Sequence, residues 1–123
     1  MIAGIGTDIT ECARIEKALA RHGKMFLEHL LTAAEQQESR EQLSYCAGRW
    51  AAKEAVAKAL GCGIGGHCAF TEIEILNNEA GKPEVSLSGS AAITAFRLNI
   101  CRIHLSISHE RHYAVATVIL ETP

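Results

Sequence analysis

Two acids and one lysine stand out as the residues able to do chemistry: Asp8, Glu54 and Lys58. At about 100° per residue on a helix, Glu54 projects into the middle of an apolar stripe made by Leu43, Cys46, Ala47, Trp50 and Ala57. The opposite face (Ala52, Ala55, Val56, Ala59) is apolar as well, which leaves Arg49 and Lys53 a narrow charged edge. A carboxylate in that setting is costly unless it is paired, protonated or bound to a metal. An ion pair with Lys58, four residues on, or with Lys53 is the ordinary explanation. Asp8 has an ordinary explanation too, since Asp8-Ile9-Thr10-Glu11 fits a reciprocal capping box at a helix start. The functional alternative is that Asp8 and Glu54 together hold a hard cation such as Mg²⁺, which accepts few carboxylates and recruits substrate phosphates.

Other constellations are weaker. The loop GCGIGG (61–66) spells G-x-G-x-x-G but follows a helix rather than a strand, so it lacks the context of a dinucleotide fold, and no G-K-[ST] follows to make a P-loop. Cys62, His67 and Cys68 lack a fourth zinc ligand at sensible spacing. SISHERHYA (106–114) puts Ser106 and Ser108 on the polar side of a strand with His109 at its end. No G-x-S-x-G accompanies them, so phosphate contact suits this segment at least as well as hydrolysis. Arg14, Lys17, Arg21 and Lys24 form a basic stripe at helical spacing, either solvated or steering an acidic helical partner.

With 123 residues the chain fits one compact domain, residues 1–123. Aromatic residues make up only 5 %, so the core must use small and aliphatic side chains, and sharing buried surface between copies is attractive. A net charge of −2 argues against a general nucleic-acid binder. Five cysteines without a C-x-x-C, several in apolar contexts, read as reduced thiols in a cytoplasmic protein. The first residues do not read as a signal peptide, and no run approaches the length of a membrane span.

The elements that must position these groups read as α+β, an antiparallel sheet packed on one long buried helix. Residues 1–7 form a strand in which Gly4 and Gly6 imply close approach by another backbone. Asp8 precedes a helix of about a dozen residues with Ile15, Ala18, Leu19 and His22 on one face, stopped at Gly23. Residues 25–31 add a helical turn or two, and Thr32 with Glu35 makes a capping box. The long helix runs roughly from Gln36 to Leu60, with Gly61 just past its end. A loop (61–69), a strand (70–76), a turn (77–83) and a second hairpin strand through Val85 and Leu87 follow. Ser90 caps a short helix ending near Asn99, and strands 102–108 and 113–120 close the chain, the last apolar enough to be covered on both faces.

Taken in order, GIGTDITECARIEKAL (4–19), GRWAAKEAVAKALGCGIG (48–65) and SISHERHYA resemble the three motifs of the holo-acyl-carrier-protein synthases, in the 4′-phosphopantetheinyl transferase family. The segment FTEIEI…N-x-x-GKP (70–83) is similar as well, so the likeness spans nearly the whole chain. Stretch 36–46 departs from the pattern, and no particular thiol is expected at Cys46, Cys62 or Cys68.

The resemblance implies Mg²⁺-dependent transfer of 4′-phosphopantetheine from coenzyme A to a serine of an acyl carrier protein, in support of fatty acid biosynthesis. Asp8 and Glu54 match the family's metal-binding acids, and Lys58 the lysine of KE-x-x-x-K near the phosphates. Ser108 and His109 match the nucleotide-contacting segment, and Gly81, Lys82 and Pro83 a loop near the adenine or its 3′-phosphate. Arg14 and Arg21, with Lys24 on the same stripe, match the face offered to an acidic carrier helix. A metal-activated water or an acid such as Glu35 is the candidate base that takes the serine proton. Homotrimers with sites between subunits are implied too. A non-catalytic coenzyme A or nucleotide-binding module is the alternative.

Overall fold

A computed structural model describes residues 1–123. The chain opens with strand β1 (Ile2–Glu11), followed by helices α1 (Cys12–His22), α2 (Lys24–Leu30), α3 (Ala33–Glu38) and α4 (Gln42–Ala59). A 3-10 turn over Phe70–Glu72 leads to strands β2 (Ile73–Asn77) and β3 (Pro83–Leu87). Helix α5 (Gly89–Arg97) and strands β4 (Arg102–His109) and β5 (Tyr113–Glu121) complete it. Strands β1, β5 and β4 pair antiparallel in that spatial order, and β2 and β3 form a separate hairpin.

Helix α4 is the centre of the core. Cys46, Ala47, Ala51, Ala52, Ala55, Val56 and Ala57 are all sealed from solvent. Small side chains on several faces let the sheet, the hairpin and the N-terminal helices all pack against one cylinder. The closest approach is to β1. A Cβ on Gly6 would fall 2.0 Å from the Ala55 carbonyl oxygen, and one on Gly4 would fall 2.5 Å from that of Ala59. The two glycines therefore let strand and helix touch backbone to backbone, as the sequence suggests. On β5, Ala114, Ala116, Val118 and Leu120 alternate onto this buried side.

Several boundaries differ from the sequence reading. Strand β1 continues to Glu11, so Asp8 caps no helix; it lies inside a ladder opposite Ala116, and Glu11 precedes α1 without a side-chain cap. Pairing with β5 outweighs the local capping pattern, because nine register pairs are at stake rather than one bond. The long helix is two helices, broken at residues 39–41 between α3 and α4. That break turns Glu35 and Glu38 back toward Arg49 and Lys53. Helix α5 starts after Ser88, and the Ser90 N–H and hydroxyl are instead taken up by Glu72. His22 is exposed rather than on the packed face. Strand β5 is fully covered on one face only, since Thr117 and Tyr113 on the other reach solvent. The Thr32–Glu35 capping box forms as read.

Arg49 and Lys53 are the largest departure: neither is on a solvated edge. Lys53 is completely buried and Arg49 nearly so. Lys53 Nζ donates to Glu35 Oε1 and to the Leu30 carbonyl, both at 2.7 Å. Arg49 reaches Glu38 and the carbonyl of Ile75. Buried cations are tolerable only when paired and hydrogen-bonded, and α3 with β2 supplies those partners.

Candidate functional site

Strand β1 and helix α4 bring Asp8, Glu54 and Lys58 together. Asp8 points to the α4 side of the sheet because alternation along the strand puts it with Gly6 and Thr10. Its Oδ2 accepts from the Thr10 hydroxyl at 2.9 Å, and its Oδ1 accepts from Lys58 Nζ at 2.9 Å. Lys58 also donates to the Thr7 carbonyl at 3.1 Å. The simple ion pair between Lys58 and Glu54 is thus not the arrangement adopted. Glu54 is half-buried; burial first, and then the charge of Asp8, push its carboxyl above the usual carboxylate range, with Lys58 offsetting this in part. The repulsion that Glu54 meets from Asp8 is what a hard divalent cation relieves. The donor set therefore fits Mg²⁺, which needs one or two carboxylates and fills its other positions from water and phosphate.

A second feature is a groove of about 470 Å³ along the start of α4. Gly81 and Pro83 from the β2–β3 turn and His109 from the end of β4 all line it, so three of the proposed nucleotide residues meet in one place. The turn is built by Asn78, whose Oδ1 accepts from the N–H groups of Ala80 and Lys82 at 2.9 and 3.0 Å. Gly81 adopts φ 86°, a conformation side chains disfavour. Lys82 is exposed on the same turn but does not line the groove. Ser108 does not either. Strand alternation sends it to the opposite face of the sheet from Ile107 and His109. Asp8, Glu54 and Lys58 also lie outside the groove lining, so on one chain the acid cluster and the groove are separate features.

Sequence reasoning passed over the residues of α4 that face this groove: Ser44, Tyr45, Gly48 and Arg49, with Arg40 and Glu41 just before them. A signal was available in the charges. Glu35 and Glu38 stand three apart, and Arg49 and Lys53 four apart, which are matching steps for two helices laid side by side.

Glu35 is not at the acid cluster. It is fully buried, with Oε1 accepting from Lys53 and from the Thr32 N–H, and Oε2 from the Ile75 N–H at 2.9 Å. A carboxylate so engaged and sealed has no free oxygen for the proton of an incoming hydroxyl, so the structure takes Glu35 out of the role of base. On the outer surface, Arg14, Arg21 and Lys24 are all exposed along α1 and the start of α2, and Lys24 lies 3.7 Å from Glu28. No helix is long and apolar enough to cross a membrane.

Comparisons with known proteins identify the family. Residues 4–118 match the family profile of the 4′-phosphopantetheinyl transferase superfamily. A holo-[acyl-carrier-protein] synthase of Vibrio cholerae is 52 % identical over 124 aligned positions, covering 98 % of each chain. The crystal structure of the Neisseria meningitidis holo-[acyl-carrier-protein] synthase superposes with a TM-score of 0.92 at 37 % identity, covering 99 % of this chain and 100 % of that one. The Helicobacter pylori synthase, solved in complex with coenzyme A, gives 0.87 at 37 % identity over 95 % of this chain and 99 % of its own. The chain belongs to the 4′-phosphopantetheinyl transferase superfamily, in its family of holo-[acyl-carrier-protein] synthases.

Proposed function

We propose that this chain transfers the 4′-phosphopantetheine group of coenzyme A to a serine of an acyl carrier protein. The observation that carries this reading is the juxtaposition of Asp8, Lys58 and the half-buried Glu54 where β1 crosses α4. A non-catalytic binding module has no use for two carboxylates held beside the polyphosphate of its ligand. Asp8 and Glu54 would hold Mg²⁺, which supplies charge neutralisation on the pyrophosphate when bound. Lys58 keeps a half-exposed ammonium at the same place and offsets negative charge on the departing group. The carrier serine oxygen bonds to the phosphorus that bears pantetheine and gives up its proton to a water molecule. The bond from that phosphorus to the bridging oxygen breaks, and 3′,5′-ADP leaves.

The groove formed with Gly81, Pro83 and His109 suits the nucleotide end of coenzyme A, because Arg40, Arg49 and His109 line it with anion-compatible groups. Lys82, exposed beside it, adds positive charge at the rim. Arg14, Arg21 and Lys24 form the landing surface for an acidic carrier helix, whose approach their charge would steer.

A homotrimer is the assembly this reading favours. Ile5 and Ile9 on the outer face of the sheet are 68 % and 66 % exposed, an apolar surface that association would cover. Separation of the acid cluster from the groove on one chain agrees with sites completed between subunits. Five free cysteines suit a reducing, cytoplasmic setting, and fatty acid biosynthesis is the process such a carrier serves.

Intact-mass spectrometry of an apo acyl carrier protein incubated with the chain, coenzyme A and Mg²⁺ tests the reaction. A gain of about 340 Da that is lost on chelation supports both the transfer and its metal, since a hard cation serves the phosphates. Coenzyme A binding with no mass gain on any carrier would overturn it.

A further inference from the structure

Thr10 sits in the acid cluster without a part in the transfer chemistry. It is only 5 % exposed, on the inner face of β1 with Gly6 and Asp8. Opposite Thr10 and Asp8 on β5 stand Ala114 and Ala116, both sealed from solvent and without a polar side-chain atom to offer. The Thr10 hydroxyl donates to Asp8 Oδ2 at 2.9 Å, its one hydrogen bond within the fold. Threonine suits a strand, but valine fills the same space there and brings no polar group. A buried hydroxyl is costly unless it is bonded, and here the bond goes to a carboxylate of the site. Branching at Cβ leaves Thr10 few rotamers, so the strand itself fixes where the donor points.

The two oxygens of Asp8 are therefore held unequally. Oδ1 accepts from Lys58 Nζ at 2.9 Å, and the Lys58 side chain is 51 % exposed, on a flexible stem that can swing to a phosphate. Oδ2 accepts from a buried donor that has no other partner. Thr10 thus fixes the carboxylate, while the ammonium on Oδ1 is free to give way to another cation. An ionised carboxylate offers about four lone pairs, so the bond from Thr10 does not exhaust Asp8 as a ligand. Glu54 has no such support: burial and the charges of Asp8 and Lys58 act on it, but no hydrogen bond holds it. Asp8 is the preset acid of the pair.

Resting on the transferase reading and its metal, we propose that Thr10 is a positioning residue for the divalent cation: its hydroxyl, through Asp8 Oδ2, holds the carboxylate in the orientation that receives the ion once Lys58 gives way. Groups that hydrogen-bond a metal-binding side chain from behind contribute about 10- to 100-fold in metal affinity, because they remove the ligand's freedom before the ion arrives.

The test is calorimetric titration of the 123-residue chain with Mg²⁺ alone, for the wild type, Thr10→Val and Thr10→Ser. Thr10→Val keeps the shape and loses the donor, and its Kd for Mg²⁺ should rise about tenfold. Thr10→Ser keeps the donor and should restore most of the affinity. In turnover, half-saturation moves to higher Mg²⁺ in Thr10→Val, while kcat at saturating Mg²⁺ holds. If Thr10→Val fails to fold, Thr10→Ala against Thr10→Ser isolates the same hydroxyl. A variant without the hydroxyl that binds Mg²⁺ as the wild type does, with or without a lower Tm in EDTA, would assign Thr10 to the fold alone and overturn the proposal. So would Thr10→Ser binding as weakly as Thr10→Val, or a wild type that binds no Mg²⁺. A wild type that binds Mg²⁺ and responds to Thr10 as described, yet transfers nothing, would sink the transferase reading instead and leave the role of Thr10 standing.

Discussion

Lys58 Nζ lies 2.9 Å from Asp8 Oδ1, so the helix lysine is the partner of the strand aspartate and not of Glu54, its neighbour one turn back. Glu54 is left facing burial and a like charge, which raise its pKa. A carboxyl with a raised pKa in the fold binds its proton more tightly there than in the unfolded chain. It costs nothing at a pH below its unfolded pKa, and it destabilises the protein once pH rises through the folded value. Glu54→Gln is therefore expected to raise Tm at about pH 7 without divalent cations, and the gain should shrink toward about pH 4, where glutamate is mostly protonated in both states. Mg²⁺ should raise the Tm of the wild type by mass action but not that of the variant, which should also lose transfer. Scanning calorimetry at the two pH values, with and without Mg²⁺, reads all of this. A variant that keeps full activity would remove Glu54 from the metal site.

Glu35 offers a sharper separation of fold from chemistry. Lys53 and Glu35 are both fully buried and 2.7 Å apart, so Glu35→Gln leaves a buried ammonium without its counter-charge. The expected cost is about 3 to 5 kcal/mol, by denaturant titration. Activity per folded molecule should change by less than about twofold, whereas loss of a general base lowers kcat by about 10² to 10⁴. A loss of that size with an unchanged melting curve would return Glu35 to the chemistry.

The part of this site that could be read in the sequence is the part written in local spacing. Asp8, Glu54 and Lys58 stand out because their types conflict with their apolar surroundings, and Gly4 and Gly6 because glycine in a strand has few other uses. What escaped depends on which element lies beside which. Asp8 fits a cap until β5 is known to pair along all of β1. Arg49 and Lys53 read only as a narrow charged edge because nothing local shows α3 folding back to present Glu35 and Glu38. Ser108 and His109 are adjacent in sequence, and strand alternation alone puts them on opposite faces.

Gly6 tests the seat of the acid cluster. A Cβ there would meet the backbone of α4, 2.0 Å from the Ala55 oxygen and 2.8 Å from the Ala59 nitrogen, and neither can swing away as a side chain would. Gly6→Ala should push β1 off α4, cost about 3 kcal/mol and widen the gap between Asp8 and Lys58. Urea titration should show the loss, and transfer should fall even below the onset of unfolding. Wild-type stability in this variant would mean that strand and helix do not touch as described.

For the carrier surface, Arg14→Glu with Arg21→Glu reverses two exposed charges on α1 and leaves the buried Ile15 in place. KM for the acyl carrier protein should rise about tenfold or more at low salt, with affinity for coenzyme A unchanged. Wild-type KM should rise with ionic strength, and the variant's should rise less, because screening removes what the substitutions already removed. An unchanged KM for the carrier would place docking elsewhere.

The outer sheet face bears on the assembly. Ile5 and Ile9 stand four residues apart on the same face of β1, opposite Ile119 and Val115 of β5, so two apolar cross-strand pairs flank the Thr7–Thr117 pair in an exposed strip. Covering such a strip yields about 25 cal/mol for each Å² removed from water, and a charge placed in it loses that gain and adds a desolvation cost. Ile9→Lys is therefore expected to shift the mass measured by light scattering from three chains toward one. The isolated fold should survive, since Ile9 makes no part of the buried core. Transfer should fall together with the mass if the acid cluster and the groove act across subunits, and the loss should be in binding of coenzyme A. A monomeric wild type would defeat the assembly outright, and a monomeric variant with full activity would show that each chain carries a whole site.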